Sequence, residues 1–221
     1  MESLAERLEK LKERIERAKL RSGRSDSVTL LGVTKTVAPE RVDEARLAGL
    51  ELVGENRLQE ALPKMEALKG NGLKWHFIGT FQGNKSRKCV ENFSMIQSIG
   101  KRDHLERLSR ALKDLGGGAF PVLLEVNIGK EPQKSGFLEE ELALVLEERS
   151  LWPEVEIQGL MAVPPFDSDP RPFFKRMRKL FEQGKGLKVL SMGMSEDFET
   201  AVEEGATMVR LGRALFGERR V

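Results

Sequence analysis

Tyrosine is absent from the 221 residues, cysteine occurs once and histidine twice. The lone Cys89 rules out a disulfide framework within the chain and suits a reducing cytosol, so a cytoplasmic location is expected. Two isolated histidines, His76 and His104, without cysteine or carboxylate at ligand spacing, give no metal site. No apolar run approaches the ~18 residues a membrane helix needs. The N-terminus carries no apolar signal core, so secretion is not expected. An excess of one charge is also missing: the formal net charge is +2, and acids and bases interleave, as in ERLEKLKERIERAKLR. Without a basic stripe carrying aromatics, a nucleic-acid partner has no support. There is no nucleophile elbow, no Walker loop and no glycine-rich dinucleotide fingerprint after the first strand. Nothing reads as a linker or a low-complexity tract, so residues 1–221 are expected to form one domain.

What is present is an ordinary apolar content of 39% beside a charged content of 33%. Soluble domains average about 25% charged. Glu, Lys and Arg supply the surplus, while Asn and Gln are scarce. That balance matches thermophile surfaces rich in ion pairs.

Residues 2–22 place Leu4, Leu8, Leu11, Ile15 and Ala18 at helical spacing, an amphipathic helix ended by SGRSDS. The chain then alternates. Strands are read at 28–35, 52–56, 73–80, 94–100, 120–129, 155–163, 187–194 and 206–212. Helices are read between them at 39–50, 57–68 (interrupted by Pro63), 83–91, 101–115, 138–149, 170–183 and 195–205. A short helix follows in RALFGE. The strands are continuous apolar runs, which indicates burial on both faces. Repeated βα units in about 190 residues predict a parallel α/β fold, a single (β/α)8 TIM-type barrel with an extra N-terminal helix. An open doubly wound sheet is the alternative. The leading helix could cap the barrel base or pack on a partner.

Barrel chemistry sits at the C-terminal ends of strands. Lys35, Glu55 with Asn56, Thr80, Asn127, Met194 with Ser195, and Arg210 fall there. A lysine desolvated at a barrel mouth favours the free amine and forms a Schiff base readily. From spacing alone, a Lys35 that reaches the rim and pairs with Glu55 is the preferred reading. In SMGMSED, Ser195 is a candidate N-cap with Glu196 and Asp197 in the first turn, and helix N-terminal amides bind anions. Gly212, in MVRLG, allows close backbone approach to a ligand. The loops after strands 7 and 8 are common phosphate sites in barrels. Arg210 is either an ion-pair partner of a strand-end carboxylate such as Glu55 or a fixed cation facing a bound ring or phosphate. His76 lies within a strand and reads as a buried, hydrogen-bonded residue, with ring packing on a ligand second. His104, in a charged helix, is expected to face solvent.

The stretches VTLLGVTKT, LVGENRLQE, KWHFIGTFQGNK, MIQSI, VLLEVNIGKEPQKSGF, IQGLMAVPPF and LSMGMSEDFETAVEEGATMVRLGRALFGER together resemble the YggS/PROSC family of pyridoxal phosphate homeostasis proteins. The likeness runs from about Val28 to Arg219. It implies the barrel of the alanine racemase N-terminal domain, with pyridoxal 5′-phosphate as cofactor. By resemblance, Lys35 forms the Schiff base, and Asn56, His76, Gly79 and Met161 line the cofactor. Ser195 and Gly212 cradle its phosphate, and Arg210 faces the pyridine nitrogen. Arg213, Thr80 and Gly83 depart from the usual pattern. Racemases on this barrel take a second base, a tyrosine, from a C-terminal domain. This chain has no tyrosine and ends just after the last barrel element. The resemblance therefore implies cofactor storage and delivery in homeostasis, with apo forms of pyridoxal phosphate enzymes as candidate recipients. A weak racemase is the alternative, and a barrel for another phosphorylated metabolite is a third reading.

Overall fold

The computed structural model describes residues 2–217. The chain opens with α1 (Leu4–Arg21), where Ser3 Oγ accepts the Glu6 N–H and the Glu6 carboxylate accepts the Ser3 N–H. This reciprocal cap satisfies two otherwise unpaired donors of the first turn. The elements that follow are β1 (Thr29–Val33), α2 (Pro39–Leu47), β2 (Leu52–Glu55), α3 (Leu58–Ala67), β3 (Lys74–Phe77), α4 (Ser86–Asn92), β4 (Met95–Ile99) and α5 (Arg102–Leu115). Then come β5 (Phe120–Val126), α6 (Glu139–Glu147), β6 (Val155–Ala162), α7 (Arg171–Gln183), β7 (Val189–Ser191), α8 (Phe198–Glu203), β8 (Met208–Leu211) and α9 (Arg213–Phe216).

The eight strands pair in chain order, all parallel, and β8 pairs back onto β1 with Leu31 opposite Arg210. Closure leaves no sheet edge and excludes the open doubly wound alternative. Most of the buried apolar side chains lie between the strands and the helical ring. A smaller set fills the barrel itself: Leu31, Leu52 and Met208 in one group, Met95, Leu123 and Met161 in another. Along β8, Met208 and Arg210 face inward while Val209 and Leu211 pack under the helices, the two-residue alternation of a strand covered on both faces.

Among the described residues, β8 is followed by the four-residue α9. α1 packs on α8, α9 and α2, so the leading helix closes the outer ring where a full eighth helix would lie. It buries Leu4, Leu8, Leu11, Ile15 and Ala18 there.

Three sequence readings change. Pro63 does not interrupt α3: it lies on the exposed face while Ala61 and Lys64 anchor the buried side. α8 starts at Phe198, with Asp197 rather than Ser195 at its N-cap position, and Asp197 Oδ1 accepts the Met194 N–H at 2.6 Å. His104 is buried rather than solvent-facing: its Nδ1 accepts the Gly100 N–H at 3.3 Å and its ring meets Phe81 edge-on.

Candidate functional site

Lys35 follows β1 by two residues and is half-buried in a tight turn. The turn is closed by the Val37 N–H donating to Thr34 O at 3.0 Å. Thr36 occupies its third position with φ 63°, a left-handed conformation that costs energy in a β-branched residue. The surroundings hold the turn in place. Thr34 Oγ1 donates to Glu55 Oε1 at 2.7 Å, and Lys64 Nζ donates to the same oxygen at 2.7 Å and to Thr34 O at 2.6 Å. Glu55 has no exposed surface and Lys64 very little. Glu55 is thus hydrogen-bonded to Lys64 and Thr34, while Arg210 bonds elsewhere.

Arg210 is buried inside the barrel, with Nη1 donating to Ser191 Oγ at 2.8 Å and Nη2 to Ala162 O at 2.9 Å. Burial pushes its guanidinium down to about 10, opposed by the negative charges of Asp197 and Glu125, so it stays cationic at neutral pH. Burial in turn raises the carboxyls of Glu125 and Asp197, with Arg210 pulling both back. His76 is buried on β3, its Nδ1 2.9 Å from Gln97 Nε2. Desolvation, aided by the charge of Lys74, pushes its imidazole down to about 4. Met161, near the C-terminal end of β6, packs inside the barrel with Met95 and Leu123.

At the end of β7 and β8, Ser195 Oγ accepts the Ala214 N–H at 3.1 Å, tying the two loops together around Gly212. A Cβ on Gly212 would make only ordinary contact with Val33, at 3.5 Å. No protein packing demands glycine there, which fits a backbone kept open for a ligand. Arg213 is exposed and pairs with Glu196 on the rim.

Asn56 and Gly79 sit together on the β2–β3 side of the mouth, lining a cavity of about 290 Å³ with Arg57, Gln82 and Lys85. A Cβ on Gly79 would lie 1.9 Å from the Asn56 carbonyl oxygen, so glycine is needed for backbone packing. Asn56 Oδ1 is buried with no hydrogen-bond partner, an acceptor left over for a ligand's donor. Asn127 is a loop clamp: its amide bonds the backbone of Glu131 at both ends.

The structure therefore brings Arg210 and His76 into one hydrogen-bonded set within the barrel, joins Ser195 to the turn after Gly212, and pairs Asn56 with Gly79. Sequence reasoning missed Gln97, Ser191 and Lys64. Gln97 and Ser191 carried one signal, polar side chains inside the apolar runs of β4 and β7.

The sequence matches the family described as "Alanine racemase, N-terminal domain" over residues 7–220. It is 43% identical to the pyridoxal phosphate homeostasis protein of Aquifex aeolicus, covering 97% of this chain and 98% of that protein. The Pseudomonas aeruginosa protein of the same name is 41% identical, over 99% of this chain and 97% of its own. The structure of PipY from Synechococcus elongatus with pyridoxal phosphate bound superposes with a TM-score of 0.82 at 36% identity, covering 97% of this chain and 100% of that one. Alanine racemase of Clostridium difficile shares the fold at 16% identity, with a TM-score of 0.73 over 98% of this chain and 56% of that one. The chain belongs to the alanine racemase N-terminal-domain family, among its pyridoxal phosphate homeostasis proteins.

Proposed function

We propose that this chain binds pyridoxal 5′-phosphate as a Schiff base on Lys35 and serves cytoplasmic cofactor homeostasis, storing and delivering the cofactor with little or no turnover. The observation that carries the reading is the buried Arg210, fixed by Ser191 and the Ala162 carbonyl on the strand that pairs with β1, just before the Lys35 turn. A guanidinium can only donate, and a positive charge beside a pyridine nitrogen disfavours protonating that nitrogen. A ring so placed is a weak electron sink, which suits holding the cofactor more than processing substrates. When bound, pyridoxal phosphate supplies an aldehyde that captures amines.

The chain's own groups have separate tasks in this reading. Lys35 provides the amine, presented by the strained turn that Glu55 and Lys64 secure. Ser195 and the open backbone at Gly212 receive the phosphate. His76, Asn56, Gly79 and Met161 shape the ring side. These 221 residues hold no tyrosine, so they do not themselves supply the second base that racemases on this barrel use. Burial pushes the single thiol, Cys89, up to about 11, leaving it unreactive toward the aldehyde. Apo enzymes that use the cofactor are the proposed recipients, and residues 1–221 are proposed as one domain.

The test is the visible spectrum of the purified protein with added pyridoxal phosphate, before and after borohydride, followed by mass mapping. A band bleached by borohydride with the adduct on Lys35 is expected. Lys35→Ala should fold, lose the trapped adduct and retain weaker binding through the phosphate contacts. An undiminished adduct in that variant would remove Lys35 from the site. Efficient solvent-deuterium exchange at an amino acid's Cα would instead favour a racemase.

A further inference from the structure

Four side chains cross the barrel interior in one unbroken hydrogen-bonded row. Arg210 Nη1 lies 2.8 Å from Ser191 Oγ, which lies 2.7 Å from Gln97 Oε1, and Gln97 Nε2 lies 2.9 Å from His76 Nδ1. The row joins β8, β7, β4 and β3, and all four residues are buried. Its direction follows from which atoms meet. Arg210 has only donors, so Ser191 accepts from it, and the Ser191 hydroxyl donates to the Gln97 carbonyl oxygen that it faces. The Gln97 carbonyl is thereby the accepting end, and its amide NH₂ is turned toward His76. A second contact fixes the same orientation: Gln97 Nε2 also lies 3.2 Å from the thioether sulfur of Met208, which cannot donate. His76 Nδ1 must then be a bare acceptor, and the ring proton must sit on Nε2.

We infer that Ser191 and Gln97 are positioning residues that aim the Arg210 guanidinium and lock His76 as the neutral Nε2–H tautomer. Arg210 is held on two sides, by Ser191 and by the Ala162 carbonyl, so its planar head has one orientation. Its polarity is passed along the row to a histidine on the other side of the barrel. His76 then meets a ligand only as a donor at Nε2, never as a cation or as a base at Nδ1. Its low proton affinity, caused chiefly by burial, agrees with this. The bearing on cofactor binding rests on the function proposed above; the tautomer itself does not.

The experiment uses the full-length protein labelled with ¹⁵N-histidine, whose spectrum holds only two imidazoles. Long-range ¹H–¹⁵N correlation at neutral pH, without cofactor, reads which nitrogen carries the proton. The wild type should show His76 protonated at Nε2. In Gln97→Glu the carboxylate accepts from Ser191 and from the ring, so the proton should move to Nδ1. Pyridoxal phosphate titration supplies the second readout. Ser191→Ala removes one anchor of Arg210 and should weaken binding roughly three- to tenfold, the span of one hydrogen bond, with a shifted visible band. Ser191→Thr keeps the hydroxyl and should restore both. A wild-type His76 protonated at Nδ1, or a Gln97→Glu variant still protonated at Nε2, overturns the tautomer lock. A Ser191→Ala titration equal to wild type overturns the positioning of Arg210. A wild type that ignores pyridoxal phosphate while keeping the Nε2 proton overturns the function proposal and the positioning of a cofactor, and leaves the tautomer lock supported.

Discussion

Single residues set the acid stability of this protein. The imidazoles of His76 and His104 are both pushed down to about 4, by burial first and by neighbouring lysines second. In the unfolded chain each returns to the ordinary value near 6.5. Between those values the unfolded state binds protons that the folded state refuses, so folding stability is complete above about pH 6.5 and falls as pH drops toward 4. For His76 alone, titrating from 6.5 to 5 corresponds to about 2 kcal/mol. Urea midpoints should therefore stay nearly level from pH 7.5 to about 6.5 and decline from there to pH 5, and His104→Asn should flatten part of the slope. A midpoint constant across that range would contradict the burial of both rings.

At the scale of elements, one buried ion pair fastens α3 to the β1–β2 mouth. Lys64 reaches from α3 to Glu55 at the end of β2 and to the carbonyl of Thr34, next to Lys35. The other Glu55 oxygen has no hydrogen-bond partner, so the carboxylate depends on Lys64 and Thr34. Lys64→Ala leaves that charge buried without its cation, which typically costs about 3–5 kcal/mol. A drop of that size in the denaturant-unfolding free energy is expected, and the double variant Lys64→Met with Glu55→Gln should recover a good part of it. A loss below ~1 kcal/mol for the single variant would mean the pair is solvated and does not hold the turn.

The whole molecule is tied together by charge as well as by its core. Arg21 of α1 and Arg171 of α7 both engage Glu203 of α8, and Arg171 also engages Glu204. Arg14 of α1 pairs with Glu199 and lies over the Phe198 ring. Isolated surface pairs contribute little, but networks joining separate helices gain weight at high temperature. With the charged-residue surplus of the sequence, they predict a melting temperature above the ordinary mesophile range of about 45–65 °C. Scanning calorimetry would settle it, and molar salt should lower the value by screening. A melting point within that range would sink the expectation.

Much of this architecture was legible in the sequence. The apolar runs of β1 through β8 and the helical spacing between them specify parallel βα units, because burial on both faces requires continuous apolar strands. Boundaries were less legible: Pro63 reads as a break, yet it lies on the exposed face and α3 continues. Ser195 reads as the cap of the helix after β7, yet its hydroxyl accepts from Ala214 beyond β8, a partner no local pattern reveals. His104 looked exposed among charges, but its helix turns it against Phe81.

The sequence by itself determined the element order, the parallel alternation and the candidate lysine. Those features depend on residue type and local spacing. Only the tertiary structure decided that α1 completes the helical ring, that Lys64 is hydrogen-bonded to Glu55, and that Arg210, Ser191, Gln97 and His76 form one row. The physical reason is closure. Rolling the sheet into a barrel brings β4 and β7 face to face across the interior, where polar groups far apart in sequence must satisfy one another away from water.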